Sequence, residues 1–244
     1  LCPMRKVIFE ELGTMAYQEA WDYQEKLFGE NVAIKLAKRK AEVAGIAYEG
    51  PETRDFLLYV EHPHVYTLGK SGHINNLLVD EKELEQINAT FVPINRGGDI
   101  TYHGYGQLVA YPIFDLEYYF TDIHKFLRYL EEAIILTVAD YGIPSGRIDG
   151  LTGVWIEPDN MDRARKICAM GIRCSRWITM HGLALNVNTD LNYFKHIVPC
   201  GIDDKAVTSL EAELGHLVSM DEVKERVKRH LAQLFSIEFD EVNA

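Results

Sequence analysis

Gly153-Val154-Trp155-Ile156, Lys166-Ile167-Cys168-Ala169-Met170-Gly171-Ile172-Arg173 and Trp177-Ile178-Thr179-Met180-His181-Gly182-Leu183-Ala184-Leu185-Asn186-Val187 are three strand-like runs in succession. The charged piece Pro158 to Arg165 between the first two reads as a loop. Working outward, Val7-Ile8-Phe9 is a short strand, and Asp55 to Glu61 is a second that stops at His62-Pro63, because proline brings no N–H to a ladder. Leu108 to Ile113 is a buried strand ending at proline. Helical spacing of apolar residues marks Tyr17 to Ala47, and more clearly Asp122 to Tyr141, where Asp122 is the cap and Gly142 the stop. On that helix Ile123, Phe126, Leu127, Leu130, Ile134 and Val138 form the apolar face. Ser209 to Leu214 and Asp221 to Phe235 complete the helices. Strands and helices mix without regular strand–helix–strand alternation, so the predicted fold is α+β, a mixed and largely antiparallel sheet flanked by helices. The expected organisation is one domain over residues 1–244, with a small C-terminal helical lobe from about residue 209.

The chain has 244 residues and a formal charge of 25 − 37 = −12. An acidic balance argues against nucleic acid as a partner, since neutralising phosphates takes a basic surface. No apolar run approaches the roughly 20 residues that span a bilayer. The opening residues Leu1 to Lys6 lack the apolar stretch of a secretory signal, so the expected setting is the cytoplasm, without membrane association. Cys2, Cys168, Cys174 and Cys200 are too scattered for a disulfide scaffold and read as free thiols. Cys168, Cys174 and His181 match no common zinc spacing. Strand alternation puts Cys168, Met170, Ile172 and Cys174 on one face, which favours core packing, and no metal is expected.

Arg96-Gly97-Gly98-Asp99-Ile100-Thr101-Tyr102-His103-Gly104-Tyr105-Gly106-Gln107 holds four glycines in twelve positions. Such a turn is either a tight connection or a place where backbone approaches a ligand closely and offers N–H groups to it. It lacks the phosphate-loop pattern G-x-x-x-x-G-K-[ST], and Gly104-x-Gly106-x-x-Val109 lacks the third glycine of a dinucleotide fingerprint. No nicotinamide or flavin cofactor is therefore indicated.

The pattern Arg96-Gly97-Gly98-x-x-Thr101-x-His103-Gly104-x-Gly106-Gln107 resembles the substrate loop of the LipB-type lipoyl(octanoyl) transferases of lipoate synthesis. Four further blocks are similar in the same order: Leu58-x-Val60-Glu61-His62-Pro63 with Tyr66 to Gly69, Lys166-Ile167-x-Ala169-x-Gly171-Ile172-Arg173, His181 to Val187, and Phe194-x-x-Ile197-Val198-Pro199-Cys200-Gly201-Ile202. The resemblance implies the biotin/lipoate protein ligase catalytic fold and a Cys200/Lys166 catalytic dyad. It implies an acyl site lined by Arg96, Gly97, Gly98, Asp99, Ile100, Thr101, Tyr102, His103, Ala169, Met170, Gly171, Gly182, Leu183 and Ala184, and no cofactor. The implied donor is octanoyl-acyl carrier protein. The implied acceptors are lipoyl domains of 2-oxoacid dehydrogenase subunits and the glycine cleavage H protein.

Alone, a cysteine is more often a small buried hydrophobe than a nucleophile, and a lysine more often a solvated charge. Paired, they suit two-step acyl transfer. A free thiol titrates near pH 8.5, a nearby ammonium favours its thiolate, and lysine, unlike arginine, also takes up a proton when desolvated. Two other readings compete. An ATP-dependent lipoate–protein ligase shares the fold and a similar loop but needs no cysteine, and a non-catalytic binder of carrier or lipoyl domains needs neither residue. His103 and His181 are expected to orient loops rather than to exchange protons, and Tyr111 and Trp177 to pack in the core. An acidic carrier facing this acidic chain calls for a local basic patch, for which Arg163, Arg165, Lys166, Arg173 and Arg176 are the sequence candidates.

Overall fold

A computed structural model describes residues 4–198 and 206–242. In chain order the strands are β1 (Arg5–Thr14), β2 (Asp55–Glu61), β3 (Val65–Leu68), β4 (Thr90–Pro93), β5 (Ile100–His103), β6 (Gln107–Ile113), β7 (Gly146–Ile148), β8 (Leu151–Ile156), β9 (Arg165–Ser175), β10 (Ile178–Asn186), β11 (Ala206–Val207) and β12 (Ile237–Glu241). The helices are α1 (Tyr17–Ala44), α2 (Glu81–Gln86), α3 (Ile123–Asp140), α4 (Leu210–Leu214) and α5 (Met220–Phe235).

The main sheet runs β12-β1-β2-β6-β10-β9-β8-β7, with β11 added parallel to β9. Its centre is antiparallel, and β1 lies parallel to both β2 and β12. A small second sheet, β4-β3-β5, stands beside it and carries the glycine-rich loop between two of its strands. The central strands are buried on both faces, which is why they read as continuous apolar runs. Phe56, Leu58 and Val60 of β2 pack under α1 with Leu27 and Phe28. Leu57 and Tyr59 point the other way, into a core shared with Phe126 and Leu130 of α3 and Val227 and Leu231 of α5. This is the two-residue alternation of a strand feeding two separate layers.

Helix α3 starts where Asp122 accepts from the Lys125 N–H at 2.9 Å. Helix α1 ends three residues earlier than its spacing predicts. Gly45 takes a left-handed conformation (φ 68°), and its N–H caps Ala41 and Glu42. Two features escape the local pattern. Strand β1 is ten residues long rather than three, and β12 is a strand where none is predicted; its residues pair with Arg5 to Phe9. The C-terminal segment is thereby joined to the sheet edge, and Val223, Phe235 and Ile237 belong to the same core as α3. Among the described residues no helix is long and apolar enough to cross a membrane.

Candidate functional site

Between the two sheets and the start of α3 lies a cavity of about 480 Å³, a size suited to a small ligand. Its floor is Ala169 to Ile172 of β9 and His181 to Ala184 of β10; Ile123 and Leu127 of α3 and Leu151 of β8 wall one end. Lys166, opposite Trp155 of β8, marks one end of the β9 stretch that lines the cavity. His181 pairs with Ile172 at the other, and the six-residue step from Lys166 to Ile172 spans about 20 Å of strand. The slot is long enough for a medium-length acyl chain to lie lengthwise.

The glycine-rich loop closes the slot from above. Gly97 N–H donates to the Ile172 carbonyl at 3.0 Å. A Cβ on Gly171 would sit 2.6 Å from the Gly97 carbonyl oxygen, so this approach requires glycine. Arg96, although charged, is buried. Its guanidinium donates to the carbonyls of Gly97 (2.9 Å), Thr67 (3.2 Å) and Asp99 (2.9 Å). It thus ties the loop to β3. Asp99 accepts from the Asn76 amide and from the Ile100 N–H. Gly97, Gly98, Asp99, Ile100, Thr101 and His103 all line the slot, as do Ala169, Met170, Gly171, Gly182, Leu183 and Ala184. Tyr102 does not. Alternation along β5 turns it to the opposite face, where it is buried between Tyr66 and Phe194 and its hydroxyl meets His64 Nδ1 at 2.6 Å.

Three buried histidines stand at the slot, His103 and His181 in its lining and His62 packed against His103. His62 Nδ1–H donates to the Met15 carbonyl, so its Nε2 accepts from the Tyr111 hydroxyl at 2.7 Å. The Gln107 amide nitrogen donates to the Tyr102 carbonyl and to Asn186 Oδ1, which leaves its oxygen to accept from His103 Nδ1 at 2.8 Å. The His181 ring bonds Asn95 through Nε2 at 2.8 Å, and its backbone N–H donates to Gln24. Its backbone is left-handed, φ 61°, a strained position for a non-glycine residue.

Burial pushes His62 down to about 4, and His103 and His181 down to about 3. Neutral rings that bond backbone and amides are orienting groups, not proton donors at neutral pH. Because these folded values lie below the ordinary 6.5, the unfolded chain binds more protons in the interval between them. Stability is therefore complete above about pH 6.5 and declines as pH falls through that interval. Each ring adds a slope of about 1.4 kcal/mol per pH unit. Denaturant unfolding followed from pH 7 to 5 should show the decline, and His103→Gln should make it shallower by that one-ring share; an unchanged slope would mean that His103 is not held neutral.

Lys166 lies where β8, β9 and β11 meet. Its ammonium is 4.8 Å from the centre of the Trp155 indole, a cation–π distance. A Cβ on Gly153 would touch its Cε at 3.5 Å, so the stem runs close over a residue without a side chain. The Gly153 N–H is in turn fixed by Glu131 at 3.0 Å. Val207 pairs with Lys166, and the Thr208 N–H donates to its carbonyl at 2.9 Å. Cys200 lies outside the described residues. The described chain before it ends at Val198, whose N–H donates to Asn76 at 2.9 Å. Cys168 is fully buried in the core, and burial raises its thiol well above the ordinary range. The sequence-predicted basic patch is largely neutralised within the chain: Arg163 and Arg165 bond Glu157, Arg165 also bonds Glu213, and Arg173 bonds Glu25.

Several cavity residues escaped the sequence reading. Tyr111, packed in the core as expected, also borders the slot, and Ile123 and Leu127 leave the α3 packing face to wall it. Trp155 and Gln107 are also in the lining. The signal for Trp155 is its register with Lys166 across the β8–β9 pair, which strand spacing alone does not reveal. Glu25 accepts from Trp21, Asn95 and Arg173 at once and joins α1 to the root of the loop. Nothing local in its helix marks it.

Residues 16–232 match the family described as lipoyl protein ligase A/B catalytic domain. An octanoyltransferase of Cytophaga hutchinsonii is 59% identical over 236 residues, 97% of this chain and 95% of the relative. One of Christiangramia forsetii is 56% identical over 237 residues, 96% and 97% of the two chains. Among solved structures, that of a bi-partite lipoate protein ligase and its E2 lipoyl domain from Thermoplasma acidophilum gives a TM-score of 0.66 at 19% identity, covering 99% of this chain and 88% of the other. The mixed α+β fold is that of the lipoate ligases.

Proposed function

Because the chain belongs to the lipoyl protein ligase A/B catalytic family and is an octanoyltransferase, we propose that it moves an octanoyl group from octanoyl-acyl carrier protein to a lipoyl-domain lysine through a thioester on Cys200, in lipoate biosynthesis. The thiolate of Cys200 attacks the donor carbonyl, the carrier thiol leaves, and an octanoyl thioester remains on the enzyme. The acceptor amine then attacks that carbonyl, the thiolate of Cys200 departs, and an amide forms. The first exchange is thioester for thioester and nearly balanced. The second yields a stable amide and draws the sequence forward.

Lys166 holds positive charge beside the sulfur, gives its proton to the departing carrier thiolate, and as the neutral amine then takes the proton shed by the attacking acceptor amine. The slot holds the chain, each buried methylene contributing about 0.8 kcal/mol. Its neutral histidines and fixed loop keep the walls in place.

The observation that carries this reading is Lys166 at one end of an acyl-sized slot, in register with the strand that resumes directly after residues 199–205. Incubating the protein with octanoyl-acyl carrier protein, without ATP, should add one octanoyl group by intact mass, and peptide mapping should place it on Cys200. An adduct that appears only with free octanoate and ATP would identify a ligase instead, and no adduct under either condition a binder.

A further inference from the structure

Glu131 is a carboxylate that the transfer chemistry does not use, yet it is fully buried in the middle of α3. A buried charge is costly unless it is paired and hydrogen-bonded, and this one is both. Its Oε1 accepts from the Arg128 guanidinium at 2.8 Å and from the Gly153 N–H at 3.0 Å. Its Oε2 accepts from Arg128 and Arg147 at 2.8 and 2.9 Å. Both arginines are partly exposed, so an acid nearer the surface would serve them, as Glu132 already serves Arg147. What calls for a carboxylate at this depth is the backbone of β8.

Gly153 stands where two ladders slip. It lies between Leu151 and Trp155, the β8 residues on either side of the β7–β8 register shift. Across the other edge, Val154 is opposite Cys168 but Trp155 is opposite Lys166, so Ile167 is the extra residue of a bulge. Bulges re-aim the side chains beside them, and this one sets the Lys166 ammonium 4.8 Å from the centre of the Trp155 ring. Gly153 has φ 125°, and a Cβ on it would sit 2.7 Å from the Cys168 carbonyl oxygen and 3.5 Å from Lys166 Cε. Strand β8 therefore comes down on β9 as only glycine allows, at the point the lysine stem crosses. Glu131 grips that point from α3.

We infer that Glu131 is a positioning residue for Lys166: by holding the Gly153 N–H it fixes the β8–β9 bulge and with it the place of the lysine amine. This rests on the part given to Lys166 in the transfer reading above. Glutamine shows why a carboxylate is needed. Its one oxygen serves either the arginines or Gly153, and the charge-assisted bonds to guanidinium are the stronger. Its NH2 then meets the Gly153 N–H donor to donor.

The test is single-turnover acylation by octanoyl-acyl carrier protein, read by intact mass, in the wild type, Glu131→Gln, Lys166→Met and the double variant. A misplacement of 1 Å can cost about a hundredfold, so Glu131→Gln is expected to lower the rate at saturating carrier about tenfold. The carrier concentration at half-maximal rate should stay within about twofold, because binding is untouched. In the Lys166→Met background the same substitution should change the rate less than about twofold, since the amine it positions is gone. Glu131→Asp covers the case in which Glu131→Gln fails to fold. The partly exposed arginines follow the shortened carboxylate and the β8 backbone does not, so the same lysine-dependent fall is expected. A wild-type rate in Glu131→Gln beside a slow Lys166→Met overturns the inference and leaves the transfer reading standing. An equal fall in both backgrounds makes Glu131 a scaffold residue and overturns it as well. A wild-type rate in Lys166→Met refutes the part given to the lysine, and the inference with it.

Discussion

Cys200→Ser is expected to leave a folded protein that forms no octanoyl thioester and transfers octanoate at least about a thousandfold more slowly than the wild type. The magnitude follows from the nucleophile's chemistry. A thiol near pH 7 is already a few per cent thiolate, and a neighbouring ammonium raises that fraction. A serine hydroxyl in the same place is essentially un-ionised, and Lys166 held as the ammonium has no lone pair with which to take its proton. The neighbouring histidines are unsuited to that role: His103 and His181 are each committed to an amide, and Lys166 stands at the opposite end of the strand from His181. Removing the nucleophile of a catalytic unit commonly costs as much as removing the whole unit. The measurement is intact mass after incubation with octanoyl-acyl carrier protein, together with amide formation on an acceptor domain. Near-wild-type transfer by Cys200→Ser would show that the acyl group passes directly from donor to acceptor. Cys168→Ser is the matched control. Cys168 lies in the core, away from the slot, and its thiol is raised by burial, so its loss should change stability rather than acylation.

How much of this was legible in the chain depends on how local each signal is. Asp55 to Glu61 and Ile123 to Asp140 emerge with near-correct limits because their stops are local: His62-Pro63 for the strand, an Asp122 cap and Gly142 for the helix. Ile237 to Glu241 was missed because the strand is short and acidic, and its partner Arg5–Phe9 lies at the other end of the chain. Register was the other gap. That Trp155 lies opposite Lys166 follows from how β8 meets β9, across a bulge that no single strand's pattern contains. Tyr102, by contrast, was readable: if Thr101 and His103 face a ligand, strand alternation sends the residue between them away. The motif as a block concealed that parity. The basic run from Arg163 to Arg176 misled for a related reason, since its acids, Glu157, Glu213 and Glu25, come from three separate parts of the chain.

Substitutions at Lys166 should separate the two duties proposed for it, and the separation is sharper than a simple loss of activity. Lys166→Met keeps an unbranched stem over Gly153 and the Trp155 ring but removes the charge. With no cation beside it, the Cys200 thiol is expected to titrate higher, so the alkaline rise of the acylation rate moves to higher pH. At neutral pH both half-reactions fall, by about a hundredfold or more, the usual worth of a positioned proton-transfer group. Lys166→Arg keeps the charge and its place over the indole, yet guanidinium does not release its proton in this range. Thiolate formation should therefore survive in large part, while the step in which an amine proton has to be accepted should not. The expected signature is an enzyme that takes up octanoate from the carrier at a rate within about tenfold of the wild type and then holds it, with the acylated form accumulating in the presence of acceptor. Stopped reactions analysed by mass at several pH values read both rates directly. If Lys166→Arg passes octanoate to the acceptor as fast as the wild type, the ammonium serves only as a fixed charge. If Lys166→Met leaves both half-reactions within about twofold, the lysine has no part in the chemistry, and the base for the amine lies elsewhere in the slot.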